Sequence, residues 1–472
     1  MNRLHSKYNE LIVINWLCQA SYRIECSKGE ARTLMPVADL PTSEAETASR
    51  EKLTVFVLTH DWSGLHQMFE DESFEKMAGV PLVPMLWKVL ADKGHDVHVF
   101  VIGQFSSSKD FMMGGFHVHR ICPPPLIYKA MTARPWRNVI KIGWLWTQRA
   151  FKREVNRVAG TNPPDVIYSY RSDAAWVGFR LCQKHRSVHI GRRWGTWLGH
   201  TLFNVPWYRR VRDLGEIISY KVPYDMLIMS NDGTLGDKVA ERLNYPKERH
   251  RFWLDGTKRG IYDPEIDTAK VKESVGLKPD DLMMFSVARL DTWKRLDRAI
   301  GAMPTVLKRV PNARLVIGGD GPLRPDLEAQ IDRLGVGEYV TLLGSIPHAK
   351  VRELHNAADL FLTVQDLTNL GNQIMEAMHS KTCVIAYDIG GTSDVMVDGQ
   401  TGLLLSKEQL PQLGEKIAEL LEDEDRRQEL AVGAFEFAQE NIWFWDERIQ
   451  AEIDLVHELV DQKRRSEGKR KS

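Results

Sequence analysis

One stretch of the sequence, FLTVQDLTNLGNQIMEAMHSKTCVIAY from Phe361 to Tyr387, constrains the fold more than any other. Its apolar runs, 361–364 and 384–386, are typical of buried strands. Between them, Ile374, Met375 and Met378 have helical spacing and predict a helix over 373–379. A strand, loop, helix and strand in this order form the unit of a parallel sheet. The sequence therefore predicts an α/β fold.

The loop and helix of this stretch also predict a ligand site. Ligands of open parallel sheets bind at the carboxyl ends of the strands, where helices begin. The backbone N–H groups around Leu370, Gly371 and Asn372 would open the helix and favour a phosphate. Glu376 lies about one turn further on, where a carboxylate can accept hydrogen bonds from sugar hydroxyls. We therefore expect a site for a phosphate joined to a polyol, as in a sugar nucleotide.

The same stretch resembles the donor-binding motif of the family-4 retaining glycosyltransferases of the GT-B fold, also called glycosyl transferases group 1. The letters EAM at Glu376–Met378 match that motif, whereas its first glutamate falls on Thr368. Further segments follow in the family's order: VARLDTWK at 287–294, VIGGDGP at 316–322 and GGTSDVMVDGQTGLL at 390–404. The resemblance implies two Rossmann-like doubly wound domains facing across a cleft, with a C-terminal helix that crosses back to the first domain.

The chain has 472 residues, more than one hydrophobic core usually holds. We divide it into an N-terminal extension or linker at 1–51, an acceptor-side Rossmann-like domain at 52–258, a nucleotide-sugar donor domain at 259–441, and a crossing helix with a basic tail at 442–472.

The resemblance also implies how a nucleoside diphosphate sugar is held. Arg289 and Lys294 would clamp the diphosphate and stabilise the leaving nucleotide in place of a metal, so neither a metal nor another cofactor is expected. Surface ion pairs are the alternative for these two residues. Glu376 would bind the ribose. The remaining donor-binding candidates line the loops around the phosphates: Gly79, Gly319, Gly321, Asn369, Leu370, Gly371 and Asn372.

Thr368 is a departure from the family's pattern. The glutamate at that position usually contacts the transferred sugar or the charge that develops beside it, and threonine offers one hydroxyl and no charge. Either the sugar is held differently, by Asp366 or by Asn369 and Asn372, or activity is lost. We retain Thr368 with Arg289, Lys294 and Glu376 as the catalytic candidates.

The acceptor side is less well defined. The family's functional histidine falls on Tyr170 or Arg171, so no histidine base is assigned. Arg193 and Trp194 belong to a strand and loop expected to line the acceptor site. Arg192 and Arg193 either bind an anionic acceptor group or hold surface carboxylates.

Charge and cysteine content limit the partners. Lys plus Arg equals Asp plus Glu at 63 each, which argues against nucleic acid. Five scattered cysteines without metal-like spacing favour reduced thiols and a cytoplasmic protein. The run LIVINWLC near the start is too short to span a bilayer.

The segment 129–153 is basic and rich in tryptophan, and contains no acidic residue. It either docks on an anionic membrane surface, on the inner face of the membrane, or packs its tryptophan side into the first domain.

We therefore expect a retaining, metal-independent transferase that moves a hexose-type sugar to a saccharide or lipid-linked acceptor, in cell-envelope, exopolysaccharide or glycolipid synthesis. Two alternatives remain open. One is a sugar-nucleotide epimerase of the GT-B fold, and the other is a non-catalytic protein that binds nucleotide sugars.

Overall fold

The computed structural model describes residues 51–62, 65–77, 82–132, 142–196, 198–204, 213–366 and 372–471. The predicted extension at 1–51 lies outside these residues except for Glu51. Two separate sheets carry the chain, one of eight strands and one of six. The first falls within the predicted bounds 52–258 and the second within 259–441.

The first sheet has the order β3-β4-β2-β1-β5-β6-β7-β8 and is parallel apart from β3, which pairs antiparallel with β4. The chain winds outwards from β1 in one direction and returns to the other side with β5, so the topological switch point lies between β1 and β5. The strands are β1 (Thr54–His60), β2 (Asp96–Ile102), β3 (Lys109–Met113), β4 (Phe116–Ile121), β5 (Val166–Tyr170), β6 (Val188–Trp194), β7 (Met226–Ser230) and β8 (His250–Trp253).

Helices cover both faces of this sheet, because its central strands carry apolar side chains on both sides. Val55 and Val57 of β1 face one core, and Phe56 and Leu58 face the other. The helices described here are α1 (His66–Glu70), α2 (Leu82–Asp92), α3 (Pro125–Thr132), α4 (Ile142–Ala159), α5 (Arg171–His185), α6 (Leu198–Asn204), α7 (Leu214–Ser219) and α8 (Gly236–Arg242), with short 3-10 helices at Phe74–Lys76 and Lys247–Arg249.

The second sheet is parallel throughout and has the order β11-β10-β9-β12-β13-β14. Its switch point lies between β9 and β12. The strands are β9 (Leu282–Val287), β10 (Ala313–Gly318), β11 (Val340–Gly344), β12 (Leu360–Thr363), β13 (Cys383–Tyr387) and β14 (Leu403–Leu405). The helices are α9 (Thr268–Glu273), α10 (Leu296–Arg309), α11 (Arg324–Leu334), α12 (His348–Ala357), α13 (Asn372–His379), α14 (Thr392–Val395), α15 (Leu413–Glu422) and α16 (Glu424–Asn441), with a 3-10 helix at Leu410–Gln412.

The chain crosses between the domains twice, and the two crossings run side by side. Thr257 and Phe444 form a parallel bridge, and Trp445 Nε1 donates to the Gly256 carbonyl at 3.0 Å. Gly256 has a φ of 78°, and a Cβ atom there would collide with the Trp443 carbonyl. Only glycine therefore allows the two crossings to approach this closely.

The last helix, α17 (Trp445–Lys471), returns to the first domain as the resemblance implied. Its buried residues Ile449, Ile453, Val456 and Val460 belong to the same core as Val55 and Val57 of β1. The helix is therefore part of the first domain's interior.

A buried charge cluster reinforces this return. Glu452 of α17 accepts a hydrogen bond from Arg448 Nη1 at 2.9 Å and lies 3.4 Å from Arg192 Nε. All three side chains are at most 2 % exposed. The Arg448 guanidinium also stacks over the Trp253 ring at 4.4 Å. Buried charges are tolerated only when paired, so this cluster fixes α17 on β6 and β8.

None of the helices in the described parts of the chain combines the length and the apolar character that a bilayer span requires.

Candidate active site

The carboxyl edges of the two sheets meet. Asn231, which follows β7, donates from Nδ2 to Asp394 Oδ2 of α14 at 3.0 Å. Asn231 belongs to the first domain and Asp394 follows β13 of the second. Loops that leave parallel strands at their carboxyl ends therefore border a common cleft, the usual ligand site of such sheets.

Lys294 lies at the switch point of the second sheet. It stands in the loop after β9, and its Nζ donates to Gln365 Oε1, after β12, at 2.8 Å. Burial lowers the pKa of Lys294, while Asp291 acts in the opposite direction. Among the described residues, the ammonium donates a hydrogen bond to a neutral amide, so its charge is available to a ligand.

Arg289 is in the same loop, but it is held differently. Its Nε lies 2.9 Å from Asp291 Oδ2, and its side chain is 70 % exposed. The structure therefore shows Arg289 in an ion pair, the alternative to the diphosphate clamp. The pair is exposed on the arginine side only, because the Asp291 side chain is 12 % exposed.

The two glycines predicted to approach a ligand instead bring two loops together. A Cβ atom at Gly319, whose φ is 127°, would collide with the Ala288 carbonyl, and one at Gly321 would crowd the Leu290 carbonyl. Leu290 N also donates to the Asp320 carbonyl at 3.0 Å. These glycines therefore position the loop that carries Arg289 and Lys294, and their contact with donor stays a prediction.

Glu376 is the third residue that the motif predicts. It lies on α13 and is 8 % exposed. Among the described residues its carboxylate has no hydrogen-bond partner, and burial raises its pKa, opposed by the positive charge that His348 can carry. A buried carboxyl group without a partner is costly, and a ligand hydroxyl would relieve that cost.

Several donor-site candidates cannot be placed. Thr368, Asn369, Leu370, Gly371 and Gly79 lie outside the described residues. Asn372 is the first residue of α13, the helix that carries Glu376.

Asp366, one of the substitutes weighed for the missing glutamate, is already engaged. Its carboxylate accepts from Arg295 Nη1 at 2.6 Å and lies 2.5 Å from Arg298 Nη2. Arg298 also donates to the Val364 carbonyl at 2.8 Å. Asp366 thus anchors the end of β12 to α10, and this disfavours it as the substitute for the missing glutamate.

The candidates on the acceptor side are mostly internal. Tyr170 is fully buried, its hydroxyl accepts from Trp87 Nε1 at 3.4 Å, and burial raises its pKa. Arg193 is 6 % exposed, donates to Ser219 Oγ at 2.5 Å and stacks over Tyr220. Arg171 is exposed at the start of α5, and Trp194 ends β6. Burial therefore disfavours an acceptor role for Tyr170 and Arg193, although that role stays untested.

Sequence reasoning missed a histidine at the first sheet's switch point. His60 ends β1, and its Nδ1 lies 3.3 Å from Asp173 Oδ2 of α5, the helix that follows β5. The pKa of His60 is lowered by burial, against the charge of Asp173. Beside it, His66 Nδ1 contacts Asp61 Oδ2 at 2.6 Å. The available signal was the position of His60 at the end of an apolar strand, where catalytic residues collect.

Comparison with known proteins points to one family. The family model for glycosyl transferases group 1 matches residues 267–436. The D-inositol 3-phosphate glycosyltransferase of Nocardia farcinica is 30% identical over 376 residues, which cover 75% of this chain and 79% of that protein. The alpha-D-kanosaminyltransferase of Streptomyces kanamyceticus is 28% identical over 200 residues, 42% of this chain, and the match spans 52% of that relative's length.

Solved structures share the two-domain fold. The sucrose-phosphate synthase of Thermosynechococcus elongatus superposes with a TM-score of 0.64 at 18% identity, covering 87% of this chain and all of that one. HepE of Anabaena, solved with UDP and glucose, superposes with a TM-score of 0.61 at 17% identity, covering 85% of this chain and 99% of that one. At these identities the likeness describes the GT-B fold.

Proposed function

This chain belongs to the glycosyl transferases group 1, and from that membership we propose that it transfers a hexose-type sugar from a nucleoside diphosphate sugar to a saccharide or lipid-linked acceptor with retention of anomeric configuration. The observation that carries the proposal is that a half-buried Lys294 and the carboxyl of Glu376, which has no hydrogen-bond partner among the described residues, follow the neighbouring strands β9 and β12. A cation and a hydroxyl acceptor at the same sheet edge match the two parts of a nucleotide sugar.

In this mechanism Lys294 and Arg289 neutralise the diphosphate as its bond to the sugar breaks. Preorganised cations at the place where charge develops supply the largest electrostatic contribution in such transfers. Glu376 accepts hydrogen bonds from the ribose hydroxyls and so fixes the nucleotide. Backbone N–H groups at the start of α13, around Asn372, bind the phosphates or the sugar.

The acceptor approaches from the first domain. Its hydroxyl reaches the donor beside His60 and Asp173, which lie at that domain's switch point. Both ring nitrogens of His60 are buried, so no direct contact with the hydroxyl is assigned to this residue. The sugar is held by Asn369 and Asn372 in place of the glutamate that Thr368 replaces.

No metal is assigned a role in the transfer, because Lys294 and Arg289 supply positive charge where the leaving diphosphate needs it. This assignment is tested by comparing turnover after chelator treatment with turnover in added magnesium. Equal rates are expected, and a strict requirement for magnesium would contradict it.

We further propose that the protein is cytoplasmic and touches an anionic membrane surface when it meets a lipid-linked acceptor. Trp144 and Leu145 of α4 are 41% and 44% exposed, and Leu126 of α3 is 82% exposed. Exposed apolar side chains beside the basic residues Arg149 and Lys152 are typical of interfacial helices. The part of the segment at 133–141 lies outside the described residues.

Co-sedimentation with vesicles tests this contact. Replacing Trp144 and Leu145 with serine should reduce binding to anionic vesicles, because both lose apolar area that the interface would bury. Trp146 packs against the domain core, and so its replacement would confuse docking with folding. Unchanged co-sedimentation would assign the segment to packing within the first domain.

The donor is identified by a thermal-shift screen against UDP, GDP, ADP and their sugar conjugates, first without metal. UDP and UDP-glucose are tested first, because the HepE structures were solved in complex with them. A rise in Tm with one nucleotide is expected from binding to the folded state alone. No rise with any of them would contradict the donor site, and with it both the transferase and the non-catalytic nucleotide-sugar-binding alternative. Binding without turnover would favour the non-catalytic alternative.

Product analysis by NMR then separates transfer from epimerisation. With the donor and a candidate acceptor, we expect a new glycosidic bond with the donor's anomeric configuration. An epimerised nucleotide sugar, formed without an acceptor, would overturn the transferase proposal.

A further inference from the structure

A cluster of histidine and aspartate side chains lies where β2 and β4 begin, at the end of the first sheet opposite the carboxyl edge. The proposed transfer mechanism assigns no role to this cluster. Asp96 begins β2, and His98 follows it on the same face of that strand. His117 of β4 is the cross-strand partner of His98. One ligand atom from each of the three residues lies within 4.8 Å of the other two.

The distances suit a small transition-metal cation. Asp96 Oδ1 lies 3.2 Å from His98 Nε2 and 3.7 Å from His117 Nε2. Ligand atoms bound tetrahedrally at about 2.0–2.1 Å from zinc are separated by about 3.3 Å. His117, which is 45 % exposed, stacks on His98 with ring centroids 4.4 Å apart, and its ring would have to turn out of this stack to present Nε2 to the same ion.

His98 carries the strongest indication. It is 7 % exposed, and its Nε2 hydrogen-bonds to no described residue, although it faces Asp96 Oδ1. A buried ring nitrogen without a hydrogen bond is uncommon and requires an explanation. A metal ion bound to this nitrogen would supply the missing partner.

The other nitrogen of His98 is oriented as in known metal sites. His98 Nδ1 lies 3.0 Å from His119 Nε2, in hydrogen-bond geometry. His119 Nδ1 in turn lies 3.0 Å from Asp110 Oδ1. When His119 carries its proton on Nδ1, its Nε2 accepts from His98 Nδ1–H, and His98 Nε2 presents a lone pair to the site. Metal-binding histidines are typically fixed in this way by a second shell.

The two carboxylate oxygens of Asp96 have different surroundings. Its Oδ2 accepts a hydrogen bond from Asn162 Nδ2, whereas Oδ1 faces the two histidines. Asn162 Oδ1 accepts from Thr54 Oγ1 of β1 at 3.1 Å. One carboxylate oxygen is therefore held by the protein, and the other points to the site.

From this geometry we propose that Asp96, His98 and His117 bind one divalent transition-metal cation of the zinc type. Two imidazoles and a carboxylate form a donor set that such ions prefer over magnesium or calcium. The exposed side of His117 leaves a fourth position for water. The site joins β2 to β4 and, through Asn162, to the loop before β5.

This ion would stabilise the first domain and take no part in sugar transfer. Asp96 and Ile102 are the ends of β2. At about 3.3 Å per residue, Ile102 lies about 20 Å along the strand from Asp96 and about 13 Å from His98, which separates the cluster from the carboxyl edge. Loss of the ion is therefore expected to lower Tm and to leave turnover by folded protein unchanged.

Metal titration of the chelator-treated full chain tests the proposal, with Zn²⁺ for affinity and Co²⁺ as a spectroscopic probe. We expect one equivalent to bind, with a visible absorption band of Co²⁺ and a rise in Tm. His117→Gln should abolish the band and weaken Zn²⁺ binding by at least 10- to 100-fold, because it removes a ligand that is half exposed and needed little by the core.

His185→Gln is the matched control. His185 is a partly exposed histidine of the same domain, near Asn156 and away from the cluster, and its replacement should leave binding intact. His119→Gln should weaken binding less than His117→Gln, because it removes a second-shell partner only. Absence of saturable binding to the unaltered chain would overturn the proposal. Equal affinity in His117→Gln and the unaltered chain would do so as well, since binding would then be adventitious.

Discussion

The charged residues near the sheet edges of the two domains differ in whether other residues of the protein already pair with them. In the first domain, the guanidinium group of Arg192 contacts Glu452 and Ser230, and that of Arg193 donates to Ser219, all inside the protein. In the second, Lys294 has a single amide partner and Glu376 has none among the described residues. Both sets follow strands of parallel sheets. The comparison teaches that the position of a charged residue near a sheet edge does not by itself make it available to a ligand, because buried partners within the protein can already occupy it.

The largest effect is expected from the first domain's buried charges. Glu452→Ala leaves Arg192 and Arg448 without their common partner, which should lower the free energy of unfolding by about 3–5 kcal/mol. Denaturant titration measures it. Glu458→Ala, at an exposed position of the same helix, is the control. A loss no greater than that of the control would mean that the cluster is not structural.

The next effect belongs to catalysis. Lys294→Ala should slow transfer by about a hundredfold, equivalent to about 2.7 kcal/mol in the activation barrier, since it removes charge that opposes the leaving diphosphate. Release of nucleoside diphosphate is the assay, and Tm should change little. Lys308→Ala, at an exposed lysine of α10, is the control. Turnover equal to that of the control would remove Lys294 from the mechanism.

Arg193 directly tests the difference between the domains. Arg193→Met keeps most of the apolar volume but leaves Ser219 Oγ without its donor, so we expect about 1–3 kcal/mol lower stability. Turnover per folded molecule should not change. If turnover falls at an unchanged Tm, Arg193 belongs to the acceptor site and the contrast between the domains fails.

The smallest effects are expected at Glu376. Glu376→Gln should weaken nucleotide affinity by about tenfold, because a neutral amide is a weaker acceptor for ribose hydroxyls than a carboxylate. Calorimetry measures this. Unchanged affinity would refute the ribose contact.

The same variant gives a pH dependence. Burial raises the pKa of Glu376 above its usual value of 4.5, so the folded state binds this proton more tightly than the unfolded state. Relative to Glu376→Gln, the unaltered chain should therefore be most stable below pH 4.5 and should lose that advantage as pH rises through the folded pKa. A difference in stability that grows with pH would have the wrong sign.

The fold was largely predictable because its signals are local. The apolar runs and the helical spacing around Glu376 became β12, α13 and β13, with boundaries within a residue or two of those predicted. The motif that predicted Lys294 also predicted a helix start beside it, and Lys294 lies two residues before α10. Its role in donor binding stays a prediction. Patterns of this kind report backbone geometry, which short segments of sequence determine.

Partners distant in the chain could not be predicted. His60 contacts Asp173, and Arg192 contacts Glu452, which makes Arg192 unavailable to a ligand. In each case the two residues are far apart in the sequence. The sequence around Arg193 does not distinguish a buried arginine from one that faces a cleft. The glycines of VIGGDGP show the same limit, because the motif predicts their conformation but not that a neighbouring loop requires it.

The return of α17 has a consequence for biosynthesis. Val55 and Val57 share their core with Ile449 and Val456, so the amino-terminal domain lacks part of its interior until the end of the chain has been made. At about 5–20 residues per second, the ribosome needs about 10–40 s between β8 and α17. During that interval the second domain can finish folding, while the apolar surface of the first domain that α17 will cover is exposed to solvent. The first domain is therefore expected to complete its core only after α17 has been synthesised.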